Sequence, residues 1–152
     1  MDIAKHIVLA TDFSEAAGQA LDYAIQLSQK LGARLTVLHF YEIPAAAYSA
    51  ETYISPDTFK MLEDAARAQL AGLMKKIQAR LPQADSVLKL GPPAELIAAE
   101  AQRLGADMIV MGTHGRRGLS HVFLGSVAEK TLRNARVPVL VLHAAPGKQA
   151  AA

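Results

Sequence analysis

Short blocks of near-continuous apolar residues alternate along this chain with longer stretches in which apolar residues recur every three or four positions. The first block, residues 6–12, runs His-Ile-Val-Leu-Ala-Thr-Asp, as expected of a strand buried on both faces. Ser14 has the place of a helix cap. Behind it Ala17, Ala20, Ala24, Leu27 and Leu31 recur at helical spacing until Gly32 stops them. Residues 34–40 read as a second strand. Ser55, Pro56 and Asp57 then open a helix whose apolar stripe is Leu62, Ala66, Leu70, Leu73, Ile77 and Leu81, ended by Pro82. Residues 86–90 form a third strand. A helix opened by Gly91, Pro92 and Pro93 turns Ala94, Ile97, Ala101 and Leu104 to the core and stops at Gly105. Residues 107–111 form a fourth strand, residues 126–134 a last helix with Ala128, Leu132 and Ala135 inward, and residues 137–143 a fifth strand.

Strands alternating with helices predict an α/β fold with a parallel sheet and right-handed crossovers. The pattern leaves the strand order open. In such sheets ligands bind beyond the carboxyl ends of the strands where the order reverses, so the loops after strands one and four are expected to meet there. Two stretches break the periodicity. Residues 41–55, with Pro44, Tyr48 and Tyr53, are long for a connection and read either as a lid over a ligand or as surface packing. Residues 144–152 read as a disordered tail, leaving residues 1–143 as one domain. Pro138 cannot donate to a ladder, which puts the fifth strand at an edge or at a start.

The loop after strand four is the most informative stretch. It runs Gly112-Thr113-His114-Gly115-Arg116-Arg117-Gly118 and continues to Gly125-Ser126-Val127, where the last helix begins. A strand, a glycine-rich loop and a helix N-terminus together make an anion-binding arrangement, because backbone N–H groups converge and glycine permits close approach. Ser126 is expected to cap the helix and to offer its hydroxyl to a phosphate. An ordinary surface loop with a serine cap is the competing reading. The spacing is Gly, two residues, Gly, nine residues, Gly-Ser, which is neither a P-loop nor the dinucleotide pattern.

Composition narrows the classes further. At 152 residues the chain is long enough for one full core, and it has no cysteine, so disulfide and thiol chemistry are excluded. No apolar run is long enough to span a membrane and no signal-peptide layout opens the chain, which predicts a cytoplasmic protein. The net charge of +2 is too small to argue for nucleic acid, which is not expected as a partner. The distribution is uneven: residues 1–76 carry seven Lys/Arg against nine Asp/Glu, and residues 77–152 carry nine against five. The surplus falls at Arg116, Arg117, Lys130, Arg133 and Arg136, around the glycine loop, where it suits a polyphosphate.

The glycine spacing at Gly112, Gly115, Gly125 and Ser126 resembles the ATP-binding motif of the universal stress protein family. The similarity extends to Ile7-Val8-Leu9-Ala10-Thr11-Asp12-Phe13-Ser14, Gly91-Pro92-Pro93-Ala94-Glu95, the run from Ala106 to Gly112, the run from Gly125 to Thr131, and Val137-Pro138-Val139-Leu140-Val141. This resemblance implies a single-domain Rossmann-like fold of the adenine nucleotide alpha hydrolase-like type, a five-stranded parallel sheet of order 3-2-1-4-5 with helices on both faces. It also implies a homodimer joined through the last strand, from Val137 to His143, and the nucleotide-binding branch of the family. Carried onto this chain, Ala10 and Asp12 face ribose and adenine, and Phe40 offers its backbone to adenine. Gly112 and Gly115 lie against ribose and phosphate; Gly125, Ser126 and Val127 hold phosphates through their N–H groups. His114 and Arg116 are phosphate neighbours outside the motif. Phe40 stands where the family often has a small aliphatic residue, so its ring would narrow the adenine slot or stack on it.

Asp12 is expected to contact base or ribose, or to hold Mg²⁺ or Mn²⁺ together with the ATP phosphates; capping the first helix is its other reading. His39 and His143 are expected to be packed or hydrogen-bonded. His114 and His121 lack the partners of a metal site. No nucleophile elbow surrounds Ser126, and a phospho-relay receiver would need an Asp ending strand three and a Lys ending strand five, where this chain has Leu90 and His143. The resulting expectation is an ATP-binding stress-response module acting on an unidentified protein partner. A slow ATPase or self-phosphorylating enzyme and a nucleotide-independent interaction protein are the alternatives.

Overall fold

A computed structural model describes residues 3–48, 53–113 and 124–144 of the chain. In chain order these form β1 (His6–Ala10), α1 (Glu15–Leu31), β2 (Arg34–Tyr41), a short 3-10 turn (Ala45–Tyr48), α2 (Pro56–Gln78), β3 (Asp85–Leu90), α3 (Pro93–Arg103), β4 (Met108–Gly112), α4 (Ser126–Asn134) and β5 (Val139–Leu142). All pairings are parallel, and the sheet order is β3-β2-β1-β4-β5. The central strand β1 is buried along its whole length, which its unbroken apolar run requires.

Two helices pack on each face of the sheet. On one, Ala20, Ala24 and Ile25 of α1 and Leu70, Met74 and Ile77 of α2 pack on Ile7, Leu9, Leu35 and Val37. On the other, Ile97 and Ala101 of α3 and Ala128 of α4 pack on Val8, Ala10, Leu38, Ile109 and Met111. Each large side chain so buried contributes about 1.5–3 kcal/mol of transfer free energy.

Helix α1 starts at Ser14, whose Oγ accepts the Ala17 N–H at 3.2 Å, and stops at Gly32 in the left-handed region. Helix α2 starts at Ser55 with Pro56 in its first turn. Its burial begins only at Ala66, so the first turns stand clear of the core with Phe59 and Met61 exposed. The stripe read from the sequence therefore runs one turn too far toward the N-terminus at Leu62, and it misses Met74. In α4 the buried stripe is centred on Ala128 and Thr131, which leaves the expected core residue Leu132 41% exposed at its rim. Tyr53 is 84% exposed. Residues 49–52 of the proposed lid, and the tail from residue 145, lie outside the described residues.

Opposite the carboxyl edge of the sheet, side chains tie the strand starts together. Asp107 Oδ2 accepts the N–H groups of Lys5 and His6 at 2.8 and 2.9 Å. His6 Nε2 lies 2.8 Å from Thr36 Oγ1, and Asp85 receives Arg34 at 2.8 Å. These contacts set the register from which the carboxyl edge is built.

Candidate functional site

The reversal in strand order falls between β1 and β4. The chain leaving β1 crosses toward β2 and the chain leaving β4 crosses toward β5, so a crevice opens between their ends. Register pairs Ala10 with Leu38 on one side and with Met111 on the other, and Gly112 with Leu142. Ala10, Asp12, Phe40 and Gly112 therefore come from three neighbouring strand ends at one edge. Gly125, Ser126 and Val127 open α4 from that same edge. His114, Gly115 and Arg116 lie outside the described residues, as do Arg117 and His121.

The turn after β1 is built from its own polar side chains. Thr11 Oγ1 accepts the Phe13 N–H at 3.1 Å, and Asp12 Oδ1 accepts the Ser14 N–H at 2.9 Å. Phe13 adopts φ +62°, a left-handed conformation uncommon for an aromatic residue. Its ring meets that of His39 with centroids 4.3 Å apart. His39 is buried, and its Nδ1 lies 2.8 Å from the Thr11 carbonyl oxygen. Asp12 thus does not cap α1, a role Ser14 fills. One carboxylate oxygen shapes the turn, and the other has no partner among the described residues. No group of three His, Cys, Asp or Glu side chains among those residues converges on a metal position. A cation at Asp12 would take its other ligands from phosphate oxygens and water.

Gly112 has a packing reason for its identity. A Cβ built there would lie 2.6 Å from the Ala16 carbonyl carbon, 2.7 Å from its oxygen and 2.9 Å from the Ala17 nitrogen. The end of β4 is pressed against the first turn of α1, so this glycine serves helix–strand contact whatever binds nearby. Gly125 has φ +82° and is itself the N-cap of α4, with Ser126 as the first helical residue. The expected serine cap is therefore corrected: Ser126 is exposed, and its hydroxyl does not cap the helix. The first N–H groups of an α-helix have no intrahelical acceptor, so the start of α4 presents donors.

The Phe40 ring belongs to the core on the α3/α4 face, 8% exposed, with Ala10 and Met111 in the same cluster. Its neighbour Tyr41 ends β2 beside α2. Burial and then the Glu63 carboxylate push its phenol above the ordinary 10.0, opposed by Arg67, so the hydroxyl stays protonated at neutral pH. The positive surplus around α4 is smaller than a residue count suggests. Lys130 pairs with Glu95 of α3, and Arg133 pairs with Glu129 at 2.7 Å. His143 Nδ1 lies 3.3 Å from Thr113 Oγ1, as expected of a hydrogen-bonded residue. Phe13, His39 and Thr113 are not among the site residues that the sequence suggests. For Phe13 the signal is the Thr-Asp-Phe-Ser run, whose three polar residues announce a side-chain-stabilised turn; no pattern within β2 points to His39.

Residues 4–143 match the model of the Universal stress protein family. The universal stress protein in the QAH/OAS sulfhydrylase 3' region of Thermus aquaticus is 36% identical over 139 residues, spanning 91% of this chain and 98% of the relative. The solved structure of MJ0577, a universal stress protein of Methanocaldococcus jannaschii, superposes with TM-score 0.76 at 27% identity, covering 93% of this chain and 97% of its own. A universal stress protein from Archaeoglobus fulgidus, solved in complex with dAMP, has TM-score 0.63 at 19% identity, covering 93% and 99%. At that identity the likeness is one of fold.

Proposed function

Because this chain belongs to the universal stress protein family, we propose that it is a nucleotide-responsive regulatory module that binds ATP, with Mg²⁺ or Mn²⁺, and works as a cytoplasmic homodimer. The observation that carries the reading is the meeting of the Asp12 turn, the Gly112 strand end and the glycine-opened N-terminus of α4 at the strand-order reversal. Ala10, Asp12 and the Phe40 backbone face ribose and adenine, Gly112 and Gly115 face ribose and phosphate, and the N–H groups of Gly125, Ser126 and Val127 receive phosphate oxygens. Buried as it is, the Phe40 ring lines the floor of the adenine slot and does not stack on the base. A relative of the same fold that holds dAMP is in keeping with an adenine nucleotide here.

Signalling follows from linkage. A ligand that binds only the folded form stabilises it by RT ln(1 + [L]/Kd), ~2.7 kcal/mol at a hundredfold excess, and orders whatever segment it contacts. Thermal melts with ATP·Mg²⁺, ADP, AMP and GTP test the proposal. For a domain of this size, ATP at a hundredfold excess raises the melting temperature by roughly 5–11 °C. The same shift with GTP as with ATP would remove the adenine assignment, and no shift with any nucleotide would remove the reading.

The dimer reading places the free edge of β5 at the contact. Ile109 N–H bonds Pro138 O and Thr113 N–H bonds Leu142 O, so Pro138, Leu140 and Leu142 face β4. In a parallel pair the alternate residues point away, which turns the backbone groups of Val139 and Val141 outward.

A further inference from the structure

We infer that His39 is a positioning residue for the nucleotide site: with Phe13 it forms a clasp that holds the Asp12 turn in its working conformation. The inference rests on the nucleotide reading above and assigns it a residue that makes no ligand contact of its own.

The clasp sits where the sheet runs out. Register between β1 and β2 ends at Ala10 opposite Leu38, and the Thr11 N–H makes a last bond to Leu38 O at 3.0 Å. Strand β2 then continues to Tyr41 while the other chain turns away toward α1. At that parting the His39 imidazole reaches back to the Thr11 carbonyl oxygen at 2.8 Å. A carbonyl only accepts, so Nδ1 carries the proton. Thr11 is thereby held to β2 through both its backbone groups. The same imidazole covers the Phe13 ring at 4.3 Å, the planes tilted by 52°.

Phe13 is what makes this more than packing. A turn whose only task was to join β1 to α1 would take glycine at φ +62° with no steric penalty. A bulky residue keeps that conformation only where its surroundings hold it, and such residues cluster at functional sites. Here the holding groups are the Thr11 and Asp12 side chains, which bond the N–H groups on either side of the Phe13 carbonyl, and the His39 ring. Release of the ring lets Phe13 return to negative φ. Both local bonds then open, and the Asp12 carboxylate loses its fixed place at the crevice.

The test uses the full chain, with amide hydrogen exchange of Phe13 and Ser14 read by NMR and ATP·Mg²⁺ affinity read by calorimetry. His39→Leu keeps volume and removes the donor, and His39→Asn restores a donor near the Nδ1 position. In His39→Leu the two turn amides should exchange about tenfold faster and ATP should bind roughly tenfold more weakly, while Leu9 and Val37 keep their protection. His39→Asn should recover most of both losses. Wild-type exchange at Phe13 and Ser14 in His39→Leu overturns the proposal alone, as does faster exchange with unchanged affinity. If wild type binds no nucleotide, the functional reading fails and the positioning role fails with it, an outcome separable because the wild-type titration shows it directly. Should His39→Leu not fold, Phe13→Ala leaves the His39 bond to Thr11 and removes the ring contact; the two turn amides should then exchange faster and ATP bind more weakly, and wild-type values for either overturn the proposal.

Discussion

Replacing Gly112 with alanine is the sharpest single test of how the site edge is built. The added methyl would lie 2.6 Å from the Ala16 carbonyl carbon, 2.7 Å from its oxygen and 2.9 Å from the Ala17 nitrogen, all below any real contact distance. None of these is the end of a flexible side chain. Ala16 and Ala17 are each 3% exposed, and the Ser14 bond to the Ala17 N–H fixes the same turn from the other side. Either α1 must lift or β4 must shift, and β4 is held between β1 and β5. Overpacking of this kind typically costs 1–3 kcal/mol, and rigid backbone on the receiving side puts the expected value at about 3 kcal/mol. At 2–4 °C per kcal/mol for a chain of this length, the melting temperature should fall by roughly 6–12 °C with no ligand present. Gly18, on the exposed side of the same helix, is the control, because a Cβ there meets nothing within 4 Å. Gly18→Ala should raise the melting temperature by about 1–4 °C through helix propensity. Calorimetric melts of the two variants side by side carry the test. A Gly112→Ala protein melting within a degree or so of wild type would refute the packing account and return Gly112 to a purely ligand-related role.

Asp12→Asn keeps the acceptor for the Ser14 N–H and should melt like wild type, whereas Asp12→Ala should lose about 1 kcal/mol. The Asn variant should also bind ATP with the same affinity with and without Mg²⁺, while chelation weakens wild type; a Mg²⁺-sensitive Asn variant would remove the cation role from Asp12. Glu100 accepts from Arg103 Nε at 2.9 Å, and that bond, with Lys89 nearby, holds its carboxyl below the ordinary 4.5 against desolvation. A depressed folded value means stability that is complete above pH 4.5 and lost as pH falls through the folded value. Urea midpoints should accordingly show Glu100→Gln destabilised at pH 7 by no more than about 1 kcal/mol, with the gap closing in acid; a gap that is constant with pH would contradict the assignment. Val141→Pro removes an outward N–H without touching the β4 ladder, so sedimentation should show monomers in place of dimers; an unchanged sedimentation coefficient would move the contact elsewhere.

The fold was legible because its strands are buried on both faces. A run such as Ile7-Val8-Leu9 has one reading in an α/β chain, and Ser14, Gly32 and Ser55 mark helix ends by chemistry that needs no tertiary context. What escaped depended on neighbours distant in sequence. Leu132 and Thr131 are one residue apart, and only the packing of α4 on its neighbours decides which is buried. Gly125 rather than Ser126 caps α4 because the chain enters the helix at positive φ, where a glycine is needed and a serine is strained. The candidate site was legible as a location, since strand one leads into the Asp12 turn and strand four ends in Gly112. Its construction was not: Gly112 answers to Ala16, and Asp12 to a turn braced by His39, contacts that spacing along one strand does not display.

The central claim, that phosphate sits on the start of α4, is tested most directly by titrating ATP·Mg²⁺ into wild type and Ser126→Asp by calorimetry. Ser126 is exposed in the first turn, where a carboxylate favours the helix dipole by about 0.3–1 kcal/mol, so the variant should fold at least as well as wild type. The same charge repels a phosphate from those N–H groups. The account predicts binding to wild type and none to Ser126→Asp at equal melting temperature. Equal affinity in the two proteins, or no heat of binding in wild type, would contradict it.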